Sequence, residues 1–132
     1  PIVPADPPPA GQLRAGLLQG FRARATGDSA AKAHAVAALM ALAEDQQSEA
    51  VAKLLADLGA NRESFKVAAR IATTWEYPGP SIFWDRRMRG TLADPGFPAL
   101  ATQLGLFSYW KASRTKPDVC NEAAPPPFCK ML

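Results

Sequence analysis

Apolar residues recur at intervals of three and four along most of this chain, which is the spacing of one face of an α-helix. This spacing predicts helices over 11–26, 30–43 and 46–58, and a fourth helix after Asn61. The apolar residues placed on one face are Leu13, Leu17, Leu18, Phe21 and Ala25 in the first helix, Ala33, Val36, Ala37 and Met40 in the second, Ala50, Val51, Leu54, Leu55 and Leu58 in the third, and Phe65, Ala68, Ala69, Ala72 and Trp75 in the fourth.

Short polar residues and glycines mark the ends of these helices. We expect Asp28 or Ser29 to cap the second helix, because a short polar side chain accepts a hydrogen bond from the unpaired N–H groups of the first turn. Gly59 fits a left-handed C-terminal cap, since glycine adopts a positive φ without a steric cost. Asn61 is expected to cap the fourth helix.

Proline and glycine divide the second half of the chain. Residues 78–80, Pro-Gly-Pro, break it, and 81–90 are predicted to form a fifth helix. Asp94 and Pro95 predict the start of a sixth helix, with Asp94 as the cap and Pro95 in the first turn, and Gly105 ends that helix. The apolar residues of the last helices are Ile82, Phe83, Trp84 and Met88, then Phe97, Leu100, Ala101 and Leu104, then Tyr109 and Trp110. No segment predicts a strand.

Short amphipathic helices joined by short loops predict antiparallel helix pairs, and a period of about 34 residues aligns Gly16 with Ala50 and Trp84. The stretch ALMALAEDQQSEAVAKLL at 38–55 has an Ala-rich helix, a polar turn and a helix that opens Ser-Glu-Ala. It resembles a tetratricopeptide repeat, and the resemblance covers about 30–90. We therefore expect an all-α fold of about six helices. The resemblance implies a right-handed superhelix, to which we add an irregular C-terminal tail.

Composition narrows the classes of function. A chain of 132 residues is long enough for one domain that buries about two thirds of its unfolded surface. Fifteen basic and twelve acidic residues leave a net charge of +3, whereas nucleic-acid binding calls for a strong basic stripe. The longest apolar run, at 35–43, is far shorter than the roughly 20 residues that span a bilayer.

Proline clusters set the predicted boundaries within the chain. Residues 1–10 read as a proline-rich linker, 11–116 as the helical domain, and 117–132 as an irregular cysteine-containing tail. The chain opens without Met and without a charged-then-apolar leader. We therefore expect a fragment or a processed product, with a membrane anchor or a partner domain upstream of Pro1.

The C-terminal segment carries the most specific string of residues. It reads Asp-Pro-Gly-Phe at 94–97, Leu-Gly-Leu at 104–106, Tyr-Trp at 109–110 and Pro-Asp-Val-Cys at 117–120, followed by Cys129. This string resembles the segment that closes tetratricopeptide-like regions in bacterial membrane-anchored winged-helix transcriptional regulators and adenylate-cyclase-type signalling proteins. The resemblance implies the end of a repeat array on the periplasmic side, and it implies no particular chemistry.

The two cysteines predict a disulfide that closes the tail as a structural lid. Cys120 and Cys129 enclose eight residues, and such a loop closes if the Cα atoms come within about 7 Å. Loop closure would contribute on the order of 2–3 kcal/mol, and an even cysteine count fits an oxidising compartment. A redox switch and a metal site are the alternatives. The pair is not Cys-x-x-Cys, and two Cys with one distant His do not make the usual zinc set.

Aromatic and arginine residues around the central break are the candidate binding residues. The stretch FWDRRMR places Trp84 beside Arg86 and Arg87, whose guanidinium groups match carboxylates and phosphates. Trp75 and Tyr77 stand just before the Pro-Gly-Pro break and can line a groove. The alternative for both groups is structural: an amphipathic helix with its Arg side chains outward, and aromatic residues that close the core.

Candidate catalytic residues lack a supporting pattern. His34 lies within an Ala-rich helix, and Ser108 and Ser113 lack the Gly-x-Ser-x-Gly signature. The acidic residues at 44–49 cluster at a polar turn, which offers little burial to shift a carboxyl pKa. We therefore predict no catalytic residue, no cofactor and no metal.

These features together predict a non-catalytic protein-interaction or sensory domain, at the C-terminal end of a bacterial envelope signalling or transcription-regulatory protein. Its partner would be a protein or a peptide, without direct nucleic-acid binding, and its location would be periplasmic. One alternative is a purely structural cap of a longer helical-repeat array. A small cytoplasmic adaptor or an enzyme accessory domain becomes the better interpretation if the cysteines are free.

The thiol state of Cys120 and Cys129 tests this interpretation directly. We expect both residues to resist alkylation in intact cells that express the native full-length protein, because a disulfide has no free thiol. Mass spectrometry of the alkylated peptides measures the outcome. Two alkylated cysteines would contradict the disulfide lid and place the domain in the cytoplasm.

Overall fold

The regular secondary structure is all helical over the residues that the computed structural model describes, which are 8–45, 48–74 and 79–132. Within these ranges there is no strand, so the all-α prediction is confirmed. The α-helices are α1 (Pro8–Thr26), α2 (Ser29–Asp45), α3 (Glu49–Asp57), α4 (Asn61–Ala72), α5 (Phe97–Gln103) and α6 (Leu106–Ser113). The 3₁₀ helices are η1 (Gly79–Trp84), η2 (Arg86–Ala93), η3 (Asp118–Asn121) and η4 (Pro127–Met131).

Two of the four predicted caps are present. An Oδ2 atom of Asp28 accepts a hydrogen bond from the backbone N–H of Ala31 at 2.9 Å, so Asp28 caps α2. Gly59 follows α3 with a φ of +80°, as the left-handed C-terminal cap requires. The prediction for Asn61 is wrong. Asn61 is the first residue of α4, and the residue at the cap position is Ala60, which makes no side-chain hydrogen bond.

The first four helices form two packed pairs, α1 with α2 and α3 with α4. Gly16 of α1 lies against Leu42 of α2, and Gly20 lies against Leu39. The α2 number falls as the α1 number rises, so the two helices run in opposite directions. A Cβ atom added to Gly16 would lie 2.3 Å from a Leu42 methyl carbon, which shows how close the two helices come.

The buried face of α1 differs from the predicted one. Ala23, Gly16 and Gly20 are buried, whereas Leu18 and Phe21 are about half exposed, at 48% and 49%. The cause is the close packing of α1 on its neighbours, which only the glycine face permits. The same shift occurs in α2, where Ala35, Leu39 and Ala43 are buried and the predicted Ala33 and Ala37 are exposed.

The predicted fifth helix over 81–90 is also wrong, because η1 and η2 replace it. Asp85 interrupts them in an extended conformation, with a φ of −66° and a ψ of 138°, and its side chain accepts from the backbone N–H of Arg87. Backbone bonds on both sides join residues three apart, from Asp85 to Ile82 and from Met88 to Asp85. This is the 3₁₀ pattern, in which a turn takes three residues.

Asp94 plays a different part from the predicted cap of the sixth helix. The helix that follows it is α5, whose cap position is held by Gly96. The side chain of Asp94 accepts from the backbone N–H of Gly96 at 2.8 Å and pairs with the Arg62 guanidinium at 3.1 Å. Asp94 therefore fixes the turn before α5 and ties it to α4.

The C-terminal tail is closed on itself by a cysteine pair and attached to the helical core at two points. The Sγ atoms of Cys120 and Cys129 are 2.07 Å apart, which is a disulfide distance. Arg89 of η2 donates from Nε and Nη2 to one Glu122 oxygen, at 2.8 and 2.5 Å. Phe128 is 1% exposed, and its ring contacts the rings of Phe97, Phe107 and Trp110 at centroid distances of 4.8, 6.3 and 5.6 Å.

The burial of Phe128 predicts that it holds the tail and the core together. We expect Phe128→Ala to lower the free energy of unfolding by about 3–5 kcal/mol, because the substitution removes a large buried ring and leaves a cavity. Met131→Ala is the matched control, since Met131 lies in the same 3₁₀ helix and is half exposed. Urea unfolding followed by circular dichroism measures both. Equal losses in the two variants would contradict the assignment.

Candidate binding groove

A groove of about 280 Å³ lies between α1, α3 and the start of η2. Its floor is apolar and its rim is charged. The residues that line it are Phe21, Glu49, Ala50, Lys53, Leu54, Asp57 and Arg87.

The close approach of α1 to α3 shapes this groove. A Cβ atom at Gly20 would lie 2.4 Å from a methyl carbon of Leu54, so any larger residue would force the Leu54 side chain to move. Phe21 follows Gly20 directly, and half of its surface remains exposed at the groove edge. The Arg24 guanidinium lies 6.0 Å from the centre of the Phe21 ring, within the range of a cation–π contact.

Charged residues of α3 form one side of the groove, because Glu49, Lys53 and Asp57 are four residues apart and share one helical face. The Lys53 ammonium pairs with the Glu49 carboxylate and lies 3.3 Å from a carboxylate oxygen of Asp85. Lys53 therefore ties α3 to the segment between η1 and η2.

A second set of ion pairs crosses from α1 to η2 through Asp57. An Oδ2 atom of Asp57 lies 2.9 Å from Arg24 and 3.8 Å from Arg87. The Nε atom of Arg87 is 3.5 Å from Asp85. The Arg24, Asp57 and Arg87 side chains thus connect the three elements that surround the groove.

These contacts shift two pKa values. The hydrogen bond that Lys53 donates to Glu49 raises the pKa of Lys53, and Asp85 adds to this, although partial burial acts in the opposite direction. The backbone N–H of Arg87 lowers the pKa of Asp85, and Lys53 adds to that effect against partial burial. Both side chains are therefore held in their charged forms around neutral pH.

The structure brings one predicted binding residue, Arg87, into the groove. Arg86 is exposed beside it and has no ion-pair partner in the part of the chain that the structure describes. Trp84 is 41% exposed and packs edge-on against Trp110 at 6.1 Å, outside the groove lining. Trp75 and Tyr77 lie outside the described residues.

The other six lining residues were not among the predicted binding residues, nor was Arg24 beside them. The missed lining residues are Phe21, Glu49, Ala50, Lys53, Leu54 and Asp57. The stripe of Glu49, Lys53 and Asp57 at intervals of four was a readable signal of one charged helix face. The pairing of Arg24 with Asp57 joins residues 33 positions apart, and no local sequence pattern predicts it. Phe21 was assigned to the core, and its exposure follows from the glycine face of α1.

Three further features concern the compartment, a membrane span and a metal site. The Cys120–Cys129 pair at disulfide distance fits an oxidising compartment. Among the described residues, no helix has the length and apolarity needed to cross a membrane. In that same part of the chain, no group of three or more His, Cys, Asp or Glu side chains is arranged to hold a metal ion.

Comparisons with other proteins give no match. The chain matches no protein-family model, no curated protein and no solved structure. Inferences about its function therefore start from the groove and the tail.

The pKa of Asp85 gives a testable pH dependence. We expect the wild type to exceed Asp85→Asn in free energy of unfolding at neutral pH, by less than about 1 kcal/mol for a partly exposed pair. Asn can still cap η2, so this difference isolates the charge. The folded-state pKa of Asp85 is lowered from 3.8. The difference should therefore persist above pH 3.8 and vanish as the pH falls through the lower folded-state value.

Urea unfolding at a series of pH values measures this dependence. Asp118→Asn is the control, since it removes the same charge from an exposed position in the tail, and we expect little change in stability. A difference between wild type and Asp85→Asn that grows as the pH falls would contradict the assignment.

Proposed function

We propose that this chain is a non-catalytic interaction domain that binds a protein or peptide partner in the groove between α1, α3 and η2. The observation that carries the proposal is the half-exposed Phe21 ring at the edge of a groove whose rim is charged. An aromatic anchor surrounded by polar side chains is typical of protein interfaces.

The size and chemistry of the groove favour a macromolecular partner over a small molecule. Small-molecule sites usually enclose about 300–1,000 Å³, and this groove, at about 280 Å³, is smaller and open. The charged side chains on its rim largely pair with one another, as Lys53 does with Glu49 and Asp85. We therefore interpret these side chains as a preorganised polar rim and not as groups for acid–base catalysis.

We further propose that the domain belongs to a bacterial envelope signalling or transcription-regulatory protein and lies in the periplasm. The resemblance of 94–129 to the tetratricopeptide-like ends of such proteins supports this proposal. The disulfide between Cys120 and Cys129 fits the oxidising conditions outside the cytoplasm. In this account the helix pairs belong to a right-handed superhelix, and the tail covers its last apolar face.

Site-specific crosslinking tests the groove in the full-length protein. A photo-crosslinking amino acid at Ala50, an exposed groove residue, is expected to form an adduct with a distinct protein in intact cells. Arg86→Glu with Arg87→Glu should weaken that adduct. The same amino acid at Ala112, which is exposed on α6, is the positional control. Equal labelling from Ala50 and Ala112 would contradict the proposal.

A structural cap of a longer repeat array is the second candidate, and one observation favours it. The outer side of the α1–α2 pair carries two open grooves of about 550 and 510 Å³, and both include Ala15 and Gln19. Small side chains there would let a preceding helix pair pack closely. In this case a crosslinker at exposed Ala15 would join upstream residues of the same polypeptide, and Ala50 would capture nothing.

A further inference from the structure

We propose that the occupant of the groove is an acidic peptide segment, in which a large apolar side chain packs on Phe21 and flanking Asp or Glu side chains bind Arg86 and Arg87. This inference rests on the proposed function and adds the chemical class of the partner. Three features of the groove support it: its size, the exposed apolar surface at its edge, and its pattern of charges. The carboxylates are paired, whereas Arg86 and Arg87 make no side-chain hydrogen bond to a described residue.

The groove is large enough for one anchor side chain. It measures about 280 Å³, and interfaces commonly place one large residue in a pocket. The floor consists of Leu54 and Ala50, and Phe21 forms one wall. A large aromatic or aliphatic side chain would therefore bury apolar surface against the floor and this wall.

The apolar surface continues along α1 beyond the groove. Leu18 lies one helical turn before Phe21, and the two side chains are 48% and 49% exposed. Exposed large side chains at this spacing form a short apolar strip beside the groove. A peptide that follows α1 would cover both side chains.

The carboxylates of the groove are already paired. Glu49 holds Lys53, Asp57 holds Arg24 at 2.9 Å, and Asp85 lies 3.3 Å from Lys53 while accepting from a backbone N–H. Asp57 is also largely buried, with 14% of its side chain exposed. A basic partner would have to displace these contacts.

The side chains of Arg86 and Arg87, unlike these carboxylates, are not held by short contacts to described residues. The Arg87 guanidinium approaches Asp57 and Asp85 at 3.8 and 3.5 Å, beyond the usual hydrogen-bond length. Among the described residues, neither Arg86 nor Arg87 makes a side-chain hydrogen bond. Each guanidinium has five N–H donors in a fork that fits a carboxylate. Arg87 lines the groove, and Arg86 is its exposed neighbour in the chain. The donors that remain available here are thus cationic, and an acidic segment complements them.

Selection from a random peptide library displayed on phage tests this inference on the 132-residue chain. We expect the wild type to enrich peptides that combine a large apolar residue with Asp or Glu within a few positions. A synthetic peptide of the enriched sequence should bind at least about tenfold more weakly to Arg86→Glu/Arg87→Glu, as expected for the loss of charge-assisted hydrogen bonds. Binding should also weaken as salt is raised.

Charge reversal makes the test specific. The Arg86→Glu/Arg87→Glu variant should itself enrich peptides with Lys or Arg, because its free groups are now carboxylates. Lys111→Glu/Lys130→Glu is the matched control, since it makes the same change in net charge at exposed positions of α6 and η4. This control should enrich the same acidic peptides as the wild type. Phe21→Ala should lose the apolar preference and leave the fold intact, which circular dichroism verifies.

Three outcomes would overturn the inference. One is enrichment of neutral or basic peptides by the wild type, and another is no enrichment at all. The third is binding of an oligothymidylate probe that depends on Arg86 and Arg87 while peptides fail to bind. In each case a partner adduct from Ala50 in cells would still support the groove as an interaction site, so the two proposals fail separately.

Discussion

The burial of Phe128 joins the two halves of this molecule, and the rest of the structure depends on the aromatic contacts around it. Rings follow one another from Phe65 of α4 to Phe83 of η1, at 5.9 Å, then to Phe97 of α5, at 5.5 Å, and to Phe128, at 4.8 Å. These contacts connect the helical pairs to the last elements of the chain. Each ring buries a large apolar area and adds a modest gain from its ring–ring geometry. The disulfide and the Arg89–Glu122 pair then restrain a tail that this ring already anchors.

The same contacts fix the position of the groove. Phe83 is buried between Phe65 and Phe97, and this holds η1 and therefore the start of η2 against α4. Arg87 follows within η2, so the aromatic core determines where this part of the rim lies. On the other side, Gly20 allows α1 to approach Leu54. The groove is thus the space between two closely packed contacts: the aromatic core that positions η2, and the approach of α1 to α3 at Gly20.

Some charged side chains around the groove are paired, and others keep hydrogen-bond donors available to a partner. Lys53 lies between two carboxylates and fixes α3 relative to Asp85, whereas the guanidinium groups of Arg86 and Arg87 make no hydrogen bond to a described residue. Paired groups hold a rim rigid, and the available donors of Arg87 at that rim, and of Arg86 beside it, provide a place where a partner gains hydrogen bonds. A rigid rim also lowers the entropy cost of binding, which suits a domain whose proposed work is recognition and not chemistry.

The sequence by itself determined the helical class, the approximate extent of the first four helices and the caps at Asp28 and Gly59, because periodicity and capping act within one or two turns. Cys120 and Cys129 were also readable as a pair, since only eight residues separate them. The resemblance to tetratricopeptide-like regions remains a proposal. Only the tertiary structure decided that Gly16 and Gly20 form the buried face of α1, that 79–93 form 3₁₀ helices around Asp85, and that Arg24 meets Asp57. Each of these depends on the distance to another element, and the free energy of that packing outweighs the local preference of the segment itself.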